Sequence, residues 1–150
     1  STGSIQARGL TTLTIPGDIA AGGAAINITG KLGAVTAGNI GTGTTINAGA
    51  LGTVRTTGDE LANIVIGLGS VASTITAGRD FGGHSSFQNP LSVTVGRNMV
   101  AGSTLAASTT ISKLTVKGDV AGAVTADRGI TSLTAGSLTN AVITSGFALG

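Results

Sequence analysis

LTVKGDVAGAVTA, residues 114–126, carries the whole repeat of this chain. An apolar–polar–apolar run (Leu114-Thr115-Val116) leads through glycine and aspartate to one more aliphatic, Val120. A second alternating run, Val124-Thr125-Ala126, follows. Alternation with a period of two marks a strand with one face inward and one outward, and β-branched residues suit such positions. The opening phrase recurs as LTIPGDI (13–19), VTAGNI (35–40), VRTTGDEL (54–61), ITAGRDF (75–81), VTVGRNM (93–99), LTVKGDV (114–120) and LTAGSL (133–138). The gaps between copies are 22, 19, 21, 18, 21 and 19 residues, a mean of 20. A unit this small buries no core alone and must stack on its neighbours.

Each unit reads as three short sides and three corners. The phrase is the first strand. A glycine turns the chain, and an apolar residue then points inward: Ile19, Ile40, Leu61, Phe81, Met99, Val120 and Leu138. Second strands follow at 26–28, 46–48, 64–66, 105–107 and 124–126. A single apolar residue (Leu10, Leu32, Leu51, Ile111, Ile130) precedes the next phrase by three. The fold class expected is all-β: a parallel β-helix of about seven turns, roughly triangular in section, forming one domain over 1–150. At the usual strand spacing the rod is roughly 35 Å long. The chain opens partway through a turn, and Val142–Gly150 reads as another second strand and corner.

Three phenylalanines are the only aromatic residues, and the core falls to Ala, Val, Ile and Leu, as a narrow coil requires. The 26 glycines sit at corners while the aliphatics keep register. Cysteine is absent, which removes disulfide and thiolate–metal chemistry. Net charge is +2, with neither a basic cluster nor an aromatic platform, so nucleic acid is not an expected partner. No apolar run reaches the ~18 residues of a membrane span. A surface of Thr, Ser, Asn and Gly with little charge points to an extracellular or cell-surface setting.

Three features are candidates for function. The outward residues of the first strands form a threonine column, Thr14, Thr36, Thr76, Thr94, Thr115 and Thr134, interrupted by Arg55. A flat hydroxyl face of this kind suits ice or carbohydrate, including surface glycans. Its neighbouring column carries Lys113, and exposed β positions favour Thr in any case. The residue after each glycine forms a corner column: Asp18, Asn39, Asp59, Arg79, Arg97, Asp119 and Ser137. No two aspartates are adjacent in it, Asp59 is expected beside Arg79 and Arg97 beside Asp119, and the spacing lacks the density that calcium needs. Residues 79–92 depart furthest from the period and are expected to bulge. They hold Phe81, His84, Phe87 and Pro90, and His84 with Asp80 is a conceivable acid–base pair. Nothing nucleophilic or metal-binding accompanies them, and six acidic residues spread along a rod make no lyase-type cluster. The expectation is no enzyme, no cofactor and no metal. Asn27-Ile28-Thr29 is a lone glycosylation sequon.

The units VTAGNI followed by INAG (35–49) and LTVKGDV followed by VTA (114–126) resemble the repeats of filamentous-haemagglutinin-like adhesins and other large bacterial surface proteins. The resemblance spans nearly the whole chain and implies a right-handed, exported β-helix with no catalytic residues. Turn grammar runs almost to both ends, without a helical period that would cover an open strand edge. The function expected is a non-enzymatic extracellular rod that stacks head to tail on copies of itself into a filament. Ile5, Leu10, Val142, Phe147 and Leu149 are the candidate joint residues. The alternatives are a segment of a longer adhesin stalk, or an ice- or carbohydrate-binding module.

Overall fold

A computed structural model describes residues 3–22, 24–67 and 72–146. Its fourteen strands all belong to one sheet. They are β1 (Ser4–Ala7), β2 (Leu10–Ile15), β3 (Ala25–Ala37), β4 (Thr45–Thr56), β5 (Asn63–Ile66), β6 (Ser73–Ala77) and β7 (His84–Phe87), then β8 (Leu91–Val95), β9 (Thr104–Ala107), β10 (Thr110–Val120), β11 (Ala123–Ala126), β12 (Gly129–Ile130), β13 (Leu133–Leu138) and β14 (Val142–Ser145). Every pairing is parallel and joins one turn to the next. The protein is a β-solenoid of about seven turns.

Two ladders run the length of the coil. On the first-strand side, Leu13, Val35, Val54, Ile75, Val93, Leu114 and Leu133 stack in register. On the second-strand side, Ile5, Ile26, Ile46, Ile64, Ser85, Leu105, Val124 and Ile143 do the same. The third side is reduced to single bridges, Ile19–Ile40–Glu60–Phe81–Met99, with Val120 and Leu138 continuing the column. Inward residues of the middle turns are buried, and burial alternates along the short middle strands β5 to β9 and β11, as β7 (exposed, buried, exposed, buried) shows.

Three expectations change. The inward residue of the third turn is Glu60, not Leu61: Glu60 bridges Ile40 and Phe81 and is fully buried. Its turn reaches the next inward position through one intervening residue (Glu60-Leu61-Ala62). The turn before it uses three (Ile40 to Thr44), so a count by hydropathy slips. Residues 79–92 form no bulge. His84–Phe87 pairs residue for residue with both Asn63–Ile66 and Thr104–Ala107, with Phe81 and Phe87 in the core and Pro90 exposed. Ser85 takes the place of an aliphatic there, which hides the strand from a reading by hydropathy. The inward corner column before each phrase also has no gap, since Ser73 and Leu91 fill it. Their corners are one residue shorter, and the ladder absorbs this as a register shift between Ile111 and Lys113. Uneven gaps in the sequence are therefore corners of different length on strands of constant register.

Candidate functional site

The most ordered polar feature lies at the corner between the first strand and the bridge column. Asp18, Asn39, Asp59, Asp80, Asn98 and Asp119 occupy it in successive turns, each directly before the inward residue. Each side-chain oxygen accepts a hydrogen bond from the backbone N–H of the next: Asn39 N to Asp18 at 2.8 Å, Asp59 N to Asn39 at 2.7 Å, Asp80 N to Asp59 at 3.1 Å, Asn98 N to Asp80 at 3.1 Å, and Asp119 N to Asn98 at 2.9 Å. Ser137 and Thr139 hydroxyls then donate to Asp119. The expected column is corrected by one residue in two turns: Asp80 and Asn98 hold the ladder, not Arg79 and Arg97, so Asp59 and Asp80 are adjacent after all.

Glycine in the phrase now has a specific reason. A Cβ at Gly58 would collide with Asn39 Oδ1, and one at Gly118 with Asn98 Oδ1. Where glycine stands directly before the ladder residue the bonds measure 2.7–2.9 Å; where Arg79 or Arg97 stands there they are 3.1 Å. The two arginines lie alongside carboxylates of the preceding turn, Arg79 with Asp59 at 3.7 Å as expected, and Arg97 with Asp80 at 3.5 Å instead of Asp119. At these distances and exposures each ion pair contributes little. The ladder fixes register and is structural.

One residue further on, Glu60 is the sole ionisable group among the buried residues described. Its Oε1 accepts from Ala62 N at 3.0 Å, and its Oε2 has no partner. Burial pushes its carboxyl from the ordinary 4.5 up to about 8, against a smaller downward pull from the Ala62 N–H. At neutral pH it is a neutral acid. Among the described residues it has no ion-pair partner, and no group of three or more His, Cys, Asp or Glu is arranged to hold a metal.

His84 is exposed, and its Nδ1 lies 2.8 Å from Thr104 Oγ1. Asp80 is committed to Asn98 and Arg97, so the conceivable His84–Asp80 pair has each member engaged elsewhere. The threonine column is in register from Thr14 through Thr36, Arg55, Thr76, Thr94 and Thr115 to Thr134. Its companion column runs Thr12, Ala34, Thr53, Thr74, Ser92, Lys113. Arg55 and Lys113 break the two columns into uncharged patches of four residues, Thr12, Thr14, Ala34 and Thr36 on one side of Arg55 and Thr74, Thr76, Ser92 and Thr94 on the other. Asn27 of the sequon accepts from Asn47 Nδ2 at 2.8 Å across the second-strand side.

The end turns differ from the middle. Three of the four exposed large hydrophobic residues described, Leu133 (36%), Leu138 (57%) and Val142 (60%), lie in the last turns. At the opposite end Ile5, Leu10, Leu13 and Ile15 are only partly buried. A hollow of about 200 Å³ opens there between Ile5, Ile15, Ile19 and Ile26. Ile5, Leu10 and Val142 thus stand at the end turns; Phe147 and Leu149 lie outside the described residues. No described helix is long and apolar enough to cross a membrane. Comparison with protein-family models, curated proteins and solved structures returns no match for this chain.

Proposed function

We propose that this chain is a non-enzymatic structural rod, extracellular or on a cell surface, whose ends stack copy on copy into a filament. The observation that carries this reading is the contrast between middle and ends. Each inner turn is covered on both sides by in-register strands. The end turns present the same columns half covered, with Leu133, Leu138 and Val142 exposed at one end and an aliphatic hollow at the other. Unpaired parallel edges and apolar ends of this kind favour strand addition, and contact between unlike ends does not close on itself. The likeness of the repeats to filamentous-haemagglutinin-like adhesins supports the surface setting. It equally suits a stalk in which further turns cover these ends.

Electron microscopy of the purified 150-residue chain tests the reading. Filaments that lengthen with protein concentration are expected. Discrete particles of roughly 35 Å, the length of seven turns at strand spacing, at every concentration overturn it.

A further inference from the structure

We infer that the second-strand side is a lateral interface, on which a second copy of the rod packs face to face. This contact is separate from the end-to-end joint and stands on different residues. Four-residue segments pair along this side without a register shift, from Ser4–Ala7 through to Val142–Ser145. The shift in the β3–β4 ladder falls after Ile28, at the corner. Outward positions form two regular columns, one through Thr45, Asn63 and His84, the other through Asn47, Val65 and Ser86. None of the eight basic or six acidic residues projects from either column. Arg55 and Lys113 lie on the first-strand side, Glu60 lies in the core, and the others lie at the corners. Val65, at 52% exposure, is the one exposed large hydrophobic residue described outside the last turns, and it stands on this face.

The charge pattern selects a second copy as the occupant. A two-fold contact sets a patch against itself, so any charge on it meets its own sign. Two first-strand sides would bring Arg55 and Lys113 of one copy against those of the other. Two second-strand sides meet without opposing any formal charge. Small outward residues such as Ala25, Ser86 and Ala106 let the sheets approach to the usual packing distance of about 10 Å. The side covers roughly 500 Å² per copy at ordinary strand spacing and rise, below the ~800 Å² per partner of a standard stable interface. One contact of this size is therefore transient. Copies joined end to end repeat it, so pairing strengthens with filament length.

Sedimentation and electron microscopy of the 150-residue chain, from micromolar to millimolar concentration, test the interface. Side-by-side pairs are expected, seen as doubled filaments where the ends join and as dimers where they do not. Val65→Lys places a cation on the face and is expected to weaken pairing at least about tenfold without shortening filaments, because like charges then oppose each other across the contact. Ser86→Lys, at the next position of the same column, is expected to do the same. Thr94→Lys adds the same charge on the first-strand side and should leave pairing unchanged. Filaments one rod wide, or pairing that Thr94→Lys weakens as much as Val65→Lys, overturn the interface and leave end-to-end stacking standing. Side-by-side dimers without filaments overturn the stacking and leave the interface standing. A chain that stays monomeric overturns both. Retention on insoluble cellulose that Val65→Lys abolishes, in a parent chain that does not pair, gives the face to a neutral glycan and overturns the second copy.

Discussion

Asp59 and Glu60 are adjacent carboxylic acids in opposite circumstances. Asp59 faces outward in a column where every turn from the first to the sixth has an Asp or Asn. It receives the Asp80 N–H and donates its own N–H to Asn39. Glu60 faces inward in a column otherwise made of Ile, Phe, Met, Val and Leu, with one hydrogen bond and one bare oxygen. The comparison shows that the repeat constrains its two columns by different physics. The outer column needs an oxygen at a fixed position, which Asp and Asn supply equally. The inner column needs volume without charge, and Glu60 meets this only by holding a proton. It also has a local use: in a corner of one residue, Leu61, its Oε1 gives the Ala62 N–H an acceptor.

The inner column should be the harder to disturb. Phe81 stacks directly on Glu60 and is fully buried. Phe81→Ala is expected to cost about 3–5 kcal/mol by chemical denaturation, the usual range for emptying a buried aromatic site. A loss below ~1 kcal/mol would mean that neighbouring turns close over the gap and that the column does not share its load between turns.

Glu60 separates the columns by pH. Its folded form holds a proton up to about pH 8, whereas the unfolded chain releases it near 4.5. The folded state therefore binds more protons between those values, and stability falls as pH rises. The contribution is complete below the unfolded value and is lost as pH climbs through the folded one. Between pH 5 and pH 8 the loss is on the order of 3 kcal/mol, taking about 1.4 kcal/mol per pH unit. Glu60→Met cannot ionise and should flatten the profile in that window. Denaturant titrations of both chains at several pH values check this, and parallel profiles would show that Glu60 is ionised in the folded rod.

The outer column should respond less. Asn39 donates its Nδ2 to Asp18 and accepts from Asp59 N. Asn39→Ala is expected to cost about 1 kcal/mol, the net worth of partly exposed hydrogen bonds. Asn39→Asp keeps the acceptor but sets four carboxylates in a row, Asp18 to Asp80, so its cost should shrink when salt is raised. A salt-independent Asn39→Asp would break the argument that the ladder is read as oxygen positions modulated by charge.

Much of this was legible in the sequence because strands advertise themselves. Alternation at Leu13-Thr14-Ile15 or Val93-Thr94-Val95 has one physical meaning, and its recurrence at a mean of 20 residues implies stacking. The corners were misread where glycine served as the anchor. Gly78 and Gly96 are each followed by arginine, so counting from glycine selects Arg79 and Arg97 and misses Asp80 and Asn98. The better anchor was present: the Asp or Asn immediately before the inward residue, five positions after the leading aliphatic in every ladder turn but the second. Read that way, GDE in the third turn aligns with GDI and GDV, and Glu60 falls inward. What no local pattern announces is that a glutamate can occupy an aliphatic site. That depends on the surrounding turns excluding water, a property of the assembled coil.

The threonine column gives the smallest expected effect and the sharpest contrast with the other two. Thr94 is paired in register with Thr76 and Thr115, yet its hydroxyl has no hydrogen bond within the described chain comparable to those of the ladder. It faces outward, so Thr94→Lys should change stability by less than ~0.5 kcal/mol, as surface substitutions ordinarily do. Thermal hysteresis, measured on both chains, asks whether the face acts on ice. Uncharged patches of only four residues, one before Arg55 (Thr12, Thr14, Ala34, Thr36) and one between Arg55 and Lys113 (Thr74, Thr76, Ser92, Thr94), are narrow templates for ordered water, and no hysteresis is expected from either chain. Activity in the parent chain that Thr94→Lys abolishes would make this column, and not the ends of the rod, the surface on which the protein acts.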